Sequence, residues 1–340
     1  MQRRRKRATR KTLLKIELVW RSIPPQQQFP DPSMNPAKSV VVQVRDARKA
    51  FGGVEVLRGA ALNVQEGELL ALLGSDGAGK TTLLRAIAGR LRLDSGEIEL
   101  FGQRVNGALS ADSLSLVPQE LILYPLLNAR ENLEIFGRIN GVALDDLKAR
   151  VDWALEWTEL TAFCLEPVES LSSGMKRRLN LACGVLHGPR VLLVDEPTVG
   201  IDRESRERIY EMLGQLCSTG YTVLLTTRQI EEAETRADRI VILENGAVIA
   251  AGTFSELVEQ TVGNQRMVTL HLERPPERPV DGFEQDGTGS ILRALVRDVA
   301  VQLPVLLVRA QAAACRIENV EVRSPSLQSV FIHLTGSELR

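Results

Sequence analysis

A mainly parallel sheet with helices on both faces, an α/β fold, is predicted for this chain by three observations. Strand-like and helix-like segments alternate from residue 69 to 243. The apolar run 69–73 leads through a glycine-rich loop, 74–82, into Leu83, Leu84, Ile87, Ala88 and Leu91, which are spaced as one face of a helix. Val191, Leu192, Leu193 and Val194 are followed at once by Asp195 and Glu196, the pattern of a buried strand whose carboxyl end reaches a ligand crevice.

The 340 residues are enough for one large and one small domain, and 44% apolar with 25% charged residues is the balance of a globular chain. No apolar run reaches eighteen residues, so no spanning helix is expected. Net charge is −1 but uneven: residues 1–33 hold nine Lys or Arg against Glu17 and Asp31, leaving the remainder at −8 and arguing against nucleic-acid binding by the body. Cys164, Cys183, Cys217 and Cys315 lie far apart without a CxxC, as in a reduced cytosolic protein. Three scattered His offer no metal cluster.

Taken in order, 1–37 is basic and then Gln- and Pro-rich. It is expected to be a disordered, solvated tail, with a start at Met34 or a basic arm on anionic lipid as alternatives. Strands are predicted over 40–44, 54–57, 61–64 and 69–73, forming an N-terminal antiparallel part, with Phe51, Gly52 and Gly53 in the first turn. Strands 96–100 and 114–119 follow, the second ending in Gln119. An inserted helical region covers about 126–187. In it Asp145 is expected to cap a helix over 146–157, and Ser172 a helix over 176–186 ended by Gly188 and Pro189. After Asp195 come helix 203–217, strand 222–225, a helix from Ile230, a hairpin around Asn245 and Gly246, and helix 253–259. Residues 263–340 read as a small α+β appendage: strand 268–272, helical spacing over 291–301, strand 317–322 and a closing helix 326–334.

The loop carries the chemistry. Gly74, Gly77 and Gly79 allow the backbone to wrap a phosphate with its N–H groups inward, and the new helix adds its positive end. Lys80 can reach β- and γ-phosphates and the Thr81 hydroxyl can hold Mg²⁺. A plain glycine turn is the alternative, disfavoured by the strand and helix that flank it. Asp195 reads as the Mg²⁺-associated carboxylate and Glu196 as a possible base. Phe51 can stack on an adenine or simply pack, and Ser172 can be purely a cap.

Together these residues resemble the ATP-binding subunit of an ABC transporter. The loop 74–82, Gln119, 171–175, 191–196 and 199–202 occur in that family's order and spacing, and 171–202 is particularly similar to the drug- and antibiotic-export branch. The resemblance covers about 38–260 strongly, within a nucleotide-binding domain expected over 38–262, and the C-terminal 327–336 loosely. It implies a P-loop NTPase core of ABC-ATPase type, with ATP and Mg²⁺ as ligands and a separate permease partner. It also implies a position at the cytoplasmic face of the membrane, and a head-to-tail dimer of two copies or of paralogues. The nucleotide would touch Gly74, Ser75, Asp76, Gly77, Ala78, Gly79, Lys80, Thr81 and Thr82 of one copy, Phe51 by stacking, and Ser172 and Gly174 of the other copy beside the D-loop Asp202. Thr81, Gln119 and Asp195 would set the metal, Gln119 would position water or metal, and Glu196 would act as base or orient the attacking water.

Three departures stand out. Arg228 occupies the place of the family's switch histidine; a guanidinium can hold phosphate but cannot titrate near neutral pH. Ser173 and Met175 replace the usual Gly and Gln of the signature. Asp76 puts a carboxylate in a phosphate loop and is expected to point to solvent or across the dimer. Alternatives remain: a regulatory subunit that binds ATP but hydrolyses it poorly, or a soluble ATPase of this type acting on nucleic acid or the ribosome.

Overall fold

The computed structural model describes residues 39–105, 107, 113–263, 265–276, 278–286 and 289–336, so the expectations for 1–37 lie outside the described residues. Two 12-residue strands, β1 (Val40–Phe51) and β2 (Val54–Gln65), pair antiparallel about Gly52 and Gly53. The short strands expected over 54–57 and 61–64 are therefore one. Both strands are irregular at this point: Asp46 turns to φ 45° on β1 and Gly59 to φ 89° on β2, where it is passed over between the Ala47–Ala60 and Arg48–Arg58 pairs, and the ladder resumes on either side. A Cβ on Gly59 would meet the Asp46 carboxylate at 2.7 Å.

β3 (Leu69–Leu73) then enters a second sheet, while β4 (Ser95–Leu100) and β5 (Gln103–Arg104) return to the first, giving the order β2-β1-β4-β5. The second sheet is completed by β6 (Leu114–Val117), β7 (Val191–Asp195), β8 (Thr222–Thr227), β9 (Arg239–Glu244) and β10 (Ala247–Gly252), in the order β10-β9-β3-β8-β7-β6. β9, β3, β8, β7 and β6 run parallel, and every residue of β3, β7 and β8 is buried, as suits the apolar runs Leu69–Leu73, 191–194 and 223–225 of a sheet covered on both faces. β10 alone is antiparallel, joined by Asn245 at φ 48° and Gly246 at φ 80°, which a tight hairpin turn demands.

Helix α1 (Lys80–Ile87) follows β3. The inserted region holds α2 (Ala129–Ile139), opened by an Asn128–Glu131 capping box, α3 (Leu144–Trp157) and α4 (Ser173–Val185). Asp145 does not cap α3: Ala143 holds that position with extended backbone, and Asp145 and Asp146 lie inside the first turn, where their charge favours the helix dipole. Asn132 is fully buried on α2. Its amide donates to the carbonyls of Tyr124, Leu127 and Asn128 and accepts from the Tyr124 N–H at 2.8 Å, tying the preceding loop to the helix.

Helices α5 (Arg203–Ser218), α6 (Ile230–Arg236) and α7 (Phe254–Gln260) complete the alternation. The C-terminal segment is a third, antiparallel sheet, β12-β13-β11-β14, from β11 (Arg266–Leu272), β12 (Glu284–Gln285), β13 (Ile291–Val296) and β14 (Ile317–Arg323). It has its own apolar core, to which α8 (Val299–Ala312) contributes Leu306 and Ala310. The helical reading of 291–301 is corrected here. β13 alternates Leu292, Ala294 and Val296 onto the core, and Asp298 caps the following helix by accepting from the Ala300 and Val301 N–H groups. The last helix, α9 (Leu327–Thr335), is tied to α6 by the Leu327 N–H, which donates to Glu234 at 2.8 Å.

Candidate functional site

Four adjacent parallel strands deliver the candidate residues at one end of the sheet. β3 leads to the loop 74–79, β6 to Gln119, β7 ends in Asp195 with Glu196 next, and β8 is followed by Arg228. Between them opens a cleft of about 400 Å³ lined by Val56, Asp76, Gly77, Gly79, Lys80, Thr81, Thr82, Gln119, Glu196 and Arg228.

The loop is held at three points by the β9–β10 hairpin. Gly74 fits against β9 so closely that a Cβ would meet the Leu243 carbonyl at 2.2 Å. Ser75 donates to Glu244 at 2.8 Å, and the Ala78 carbonyl accepts from the Gly246 N–H at 3.0 Å. Gly79 enters α1 at φ 104°, a conformation few other residues tolerate. Gly74→Ala is therefore expected to destabilise the protein by about 2 kcal/mol, since the clash is with backbone that cannot rotate away. A urea titration showing no change in midpoint would refute that.

Lys80 is only 6% exposed. Its Nζ donates to the carbonyls of Gly74 at 2.7 Å and Ser75 at 3.0 Å and lies 3.5 Å from Glu196 Oε1. Glu196 is buried with its backbone left-handed at φ 42°, a strained position for a glutamate. Its other oxygen is 3.8 Å from Arg228 Nε, so two cations flank one carboxylate. Arg228 Nη1 donates to Asp76 Oδ2 at 2.8 Å. Asp76 is exposed, in keeping with the expectation that it points to solvent, and it also has a partner in the same chain, the guanidinium of Arg228 just after β8.

Asp195 lies beneath the cleft floor, buried, and its Oδ1 accepts from the Thr226 hydroxyl at 2.6 Å. The same hydroxyl oxygen accepts from the Glu196 N–H at 2.9 Å. One buried Thr on β8 therefore braces both acidic residues, a role the motif pattern did not reveal; the cue is the polar pair Thr226 and Thr227 at the end of a buried strand. Arg177 was missed too. It rises from α4, half-buried, and donates to the Gln119 and Val199 carbonyls, with burial lowering its pKa. Behind Arg228, buried Glu232 accepts from Tyr210, Thr198 and Thr227 and lies 3.2 Å from Arg206 Nε. Burial raises the Glu232 pKa against those donors and pushes the Tyr210 hydroxyl up as well.

The remaining candidates stand apart from this cleft. Ser172 caps α4 by accepting from the Met175 N–H at 3.2 Å. Gly174 faces the start of α5, where a Cβ would meet the Ser205 hydroxyl at 2.0 Å. Asp202 caps α5 by accepting from the Ser205 N–H and hydroxyl, contacts that hold its carboxyl below the ordinary range. These three form a second group. Phe51 is at the β1–β2 turn, 48% exposed, with the Lys49 ammonium 5.5 Å from its ring centre.

Known proteins resemble this arrangement at both levels. The family model described as "ABC transporter" matches residues 57–199. The linearmycin resistance ATP-binding protein LnrL of Bacillus subtilis is 34% identical over 88% of this chain and 100% of its own length. The daunorubicin resistance ATP-binding protein DrrA3 of Streptomyces coeruleorubidus is 37% identical over 88% and 97%. The Nod factor export ATP-binding protein I of Ralstonia nicotianae is 33% identical over 92% and 99%. Among solved structures, an ATP-binding subunit of an ABC transporter superposes with a TM-score of 0.59 at 27% identity, covering 65% of this chain and 92% of that one. A dimeric post-hydrolysis state of the ATP-binding cassette MJ0796 with ADP and Pi gives 0.57 at 27% identity, covering 62% and 98%.

Proposed function

Because the chain belongs to the ABC transporter family of ATP-binding proteins, we propose that its two residue groups are the halves of a composite ATP site whose hydrolysis drives export through a partner membrane permease. The observation that carries this reading is the cleft, in which a phosphate-type loop, Gln119, Glu196 and Arg228 converge.

Lys80 and the loop N–H groups take the β- and γ-phosphates. The donors suited to Mg²⁺ are oxygens only: the Asp195 carboxylate, the Thr81 hydroxyl and the Gln119 amide. One carboxylate plus phosphates is the set this ion prefers. Held by these residues, Mg²⁺ would supply positive charge against the charge that develops on the phosphates. Glu196 accepts a proton from the attacking water as the water oxygen bonds the γ-phosphorus and the bond to the β–γ bridging oxygen breaks, leaving ADP and phosphate. Phe51 is proposed to stack on the adenine.

The second group, Ser172, Gly174 and Asp202, is proposed to meet the γ-phosphate held by another copy or a paralogue. Its separation from the cleft within one chain supports that reading, as does the dimeric form of a related cassette. For the permease, support comes from an apolar strip. Leu121, Ile122, Tyr124, Leu126, Phe163 and Leu165 are all exposed, and the Asn128–Pro167 bridge brings their segments together. Among the described residues no helix is long and apolar enough to cross a membrane, so a separate channel protein would have to carry the cargo. The names of the relatives, which speak of linearmycin resistance, daunorubicin resistance and Nod factor export, support an export role.

The test is recovery of the tagged chain in washed membranes of its own cells. Recovery is expected to fall about tenfold when Leu126 and Leu165 are both replaced by Glu, which removes two large apolar contacts from the strip. ATP binding should survive the change. Undiminished recovery would sink the permease reading and favour a soluble role.

A further inference from the structure

Asp76, Arg228, Glu196 and Lys80 form a run of alternating charge across the cleft. Arg228 Nη1 donates to Asp76 at 2.8 Å, Arg228 Nε is 3.8 Å from Glu196, and Lys80 Nζ is 3.5 Å from the other Glu196 oxygen. Resting on the reading that Lys80 and Glu196 flank the γ-phosphate, we propose that Asp76 is a positioning residue that stands in for that phosphate. It holds Arg228 over the cleft until ATP displaces it, whereas ADP leaves the Asp76–Arg228 pair in place.

Three features support the exchange. Asp76 and Arg228 side chains are 64% and 38% exposed, so their pair is weakly held in water and can be traded for a better anion. A γ-phosphate carries more charge than one carboxylate and can be gripped by two guanidinium donors at once. Without a cation beside it, a carboxylate on a phosphate-binding loop would repel the ligand; with Arg228 there, that repulsion is cancelled in the resting state and becomes a competition in the bound one. The pair spans 152 residues of sequence and joins the two departures that a phosphate site least expects, a carboxylate in the loop and an arginine after β8. The consequence is discrimination: the site grades nucleotides by whether they can take Arg228 away from Asp76.

The experiment titrates the full chain calorimetrically with the β,γ-imido analogue of ATP and, separately, with ADP. Asp76→Asn is expected to tighten the analogue about fivefold, the upper end for an exposed ion pair, and ADP less than twofold. Arg228→Gln should abolish this difference, so that adding Asp76→Asn to it moves both nucleotides equally. Asp76→Glu, which keeps the charge, should restore the parent's ratio. Both side chains are well exposed, and an unchanged melting temperature will show that the variants fold. If Asp76→Asn moves analogue and ADP by the same factor, or weakens the analogue, the proposal is wrong while the ATP site stands. If the parent binds neither nucleotide and Lys80→Ala changes nothing, the reading of the cleft falls and this proposal with it.

Discussion

Glu196→Gln is expected to lower steady-state ATP turnover by about 100- to 1000-fold, the range in which general bases contribute. The carboxamide keeps the shape of the side chain, and the backbone N–H of residue 196 keeps its bond to Thr226. What is lost is the proton acceptor. ATP binding should stay within about threefold of the parent, because removing a negative charge near the phosphates offsets the loss of the contact with Lys80, 3.5 Å away. Slow hydrolysis with intact binding should also leave the ATP-bound form long-lived, visible as a dimer by size exclusion in ATP. Turnover above a tenth of the parent's would show that Glu196 is not the base.

The opposite signature is expected of Lys80→Ala, with nucleotide affinity falling about 100-fold and no measurable turnover, as suits a lost charge-assisted contact to phosphate. Lys80 is the cation most deeply set in the cleft, with its stem buried and its ammonium braced by the Gly74 and Ser75 carbonyls. Of the residues that line the cleft, Lys80 and Arg228 are the cations, and they meet different oxygens of Glu196. Fluorescence titration with a labelled nucleotide separates the two variants: Glu196→Gln binds without turning over, and Lys80→Ala does neither. Retained affinity in a folded Lys80→Ala would mean that the loop does not hold the phosphates.

Much of this was legible in the chain order. The loop 74–82 declared itself because a five-residue apolar strand and a helical apolar face bracket it, and each has a period readable over a few residues. Gln119, Asp195 and Arg228 were placed by the strands that precede them. What escaped reading was sideways. Thr226 meets Asp195 across a strand pair, Arg177 reaches two carbonyls from a neighbouring helix, and Asp76 finds Arg228 across the crevice. Such contacts depend on strand order, which local patterns do not encode. The misreading of 291–301 had a different origin: Ile291, Leu292, Leu295 and Val299 fit a helical period, while Leu292, Ala294 and Val296 fit a strand equally well. Pairing with β11 decided in favour of the strand.

The Asn245–Gly246 turn bears on the order of events at the ribosome. The phosphate loop is read from the messenger early, yet its side wall consists of Leu243, Glu244 and Gly246. A nascent chain that has exposed only its first half carries the motif without the wall that shapes it. Nucleotide therefore cannot stabilise the amino-terminal half while the rest is being translated, and that half must wait, with β3 lacking both its neighbours β8 and β9. The wall of the loop is complete only when the chain beyond residue 246 has cleared the exit tunnel.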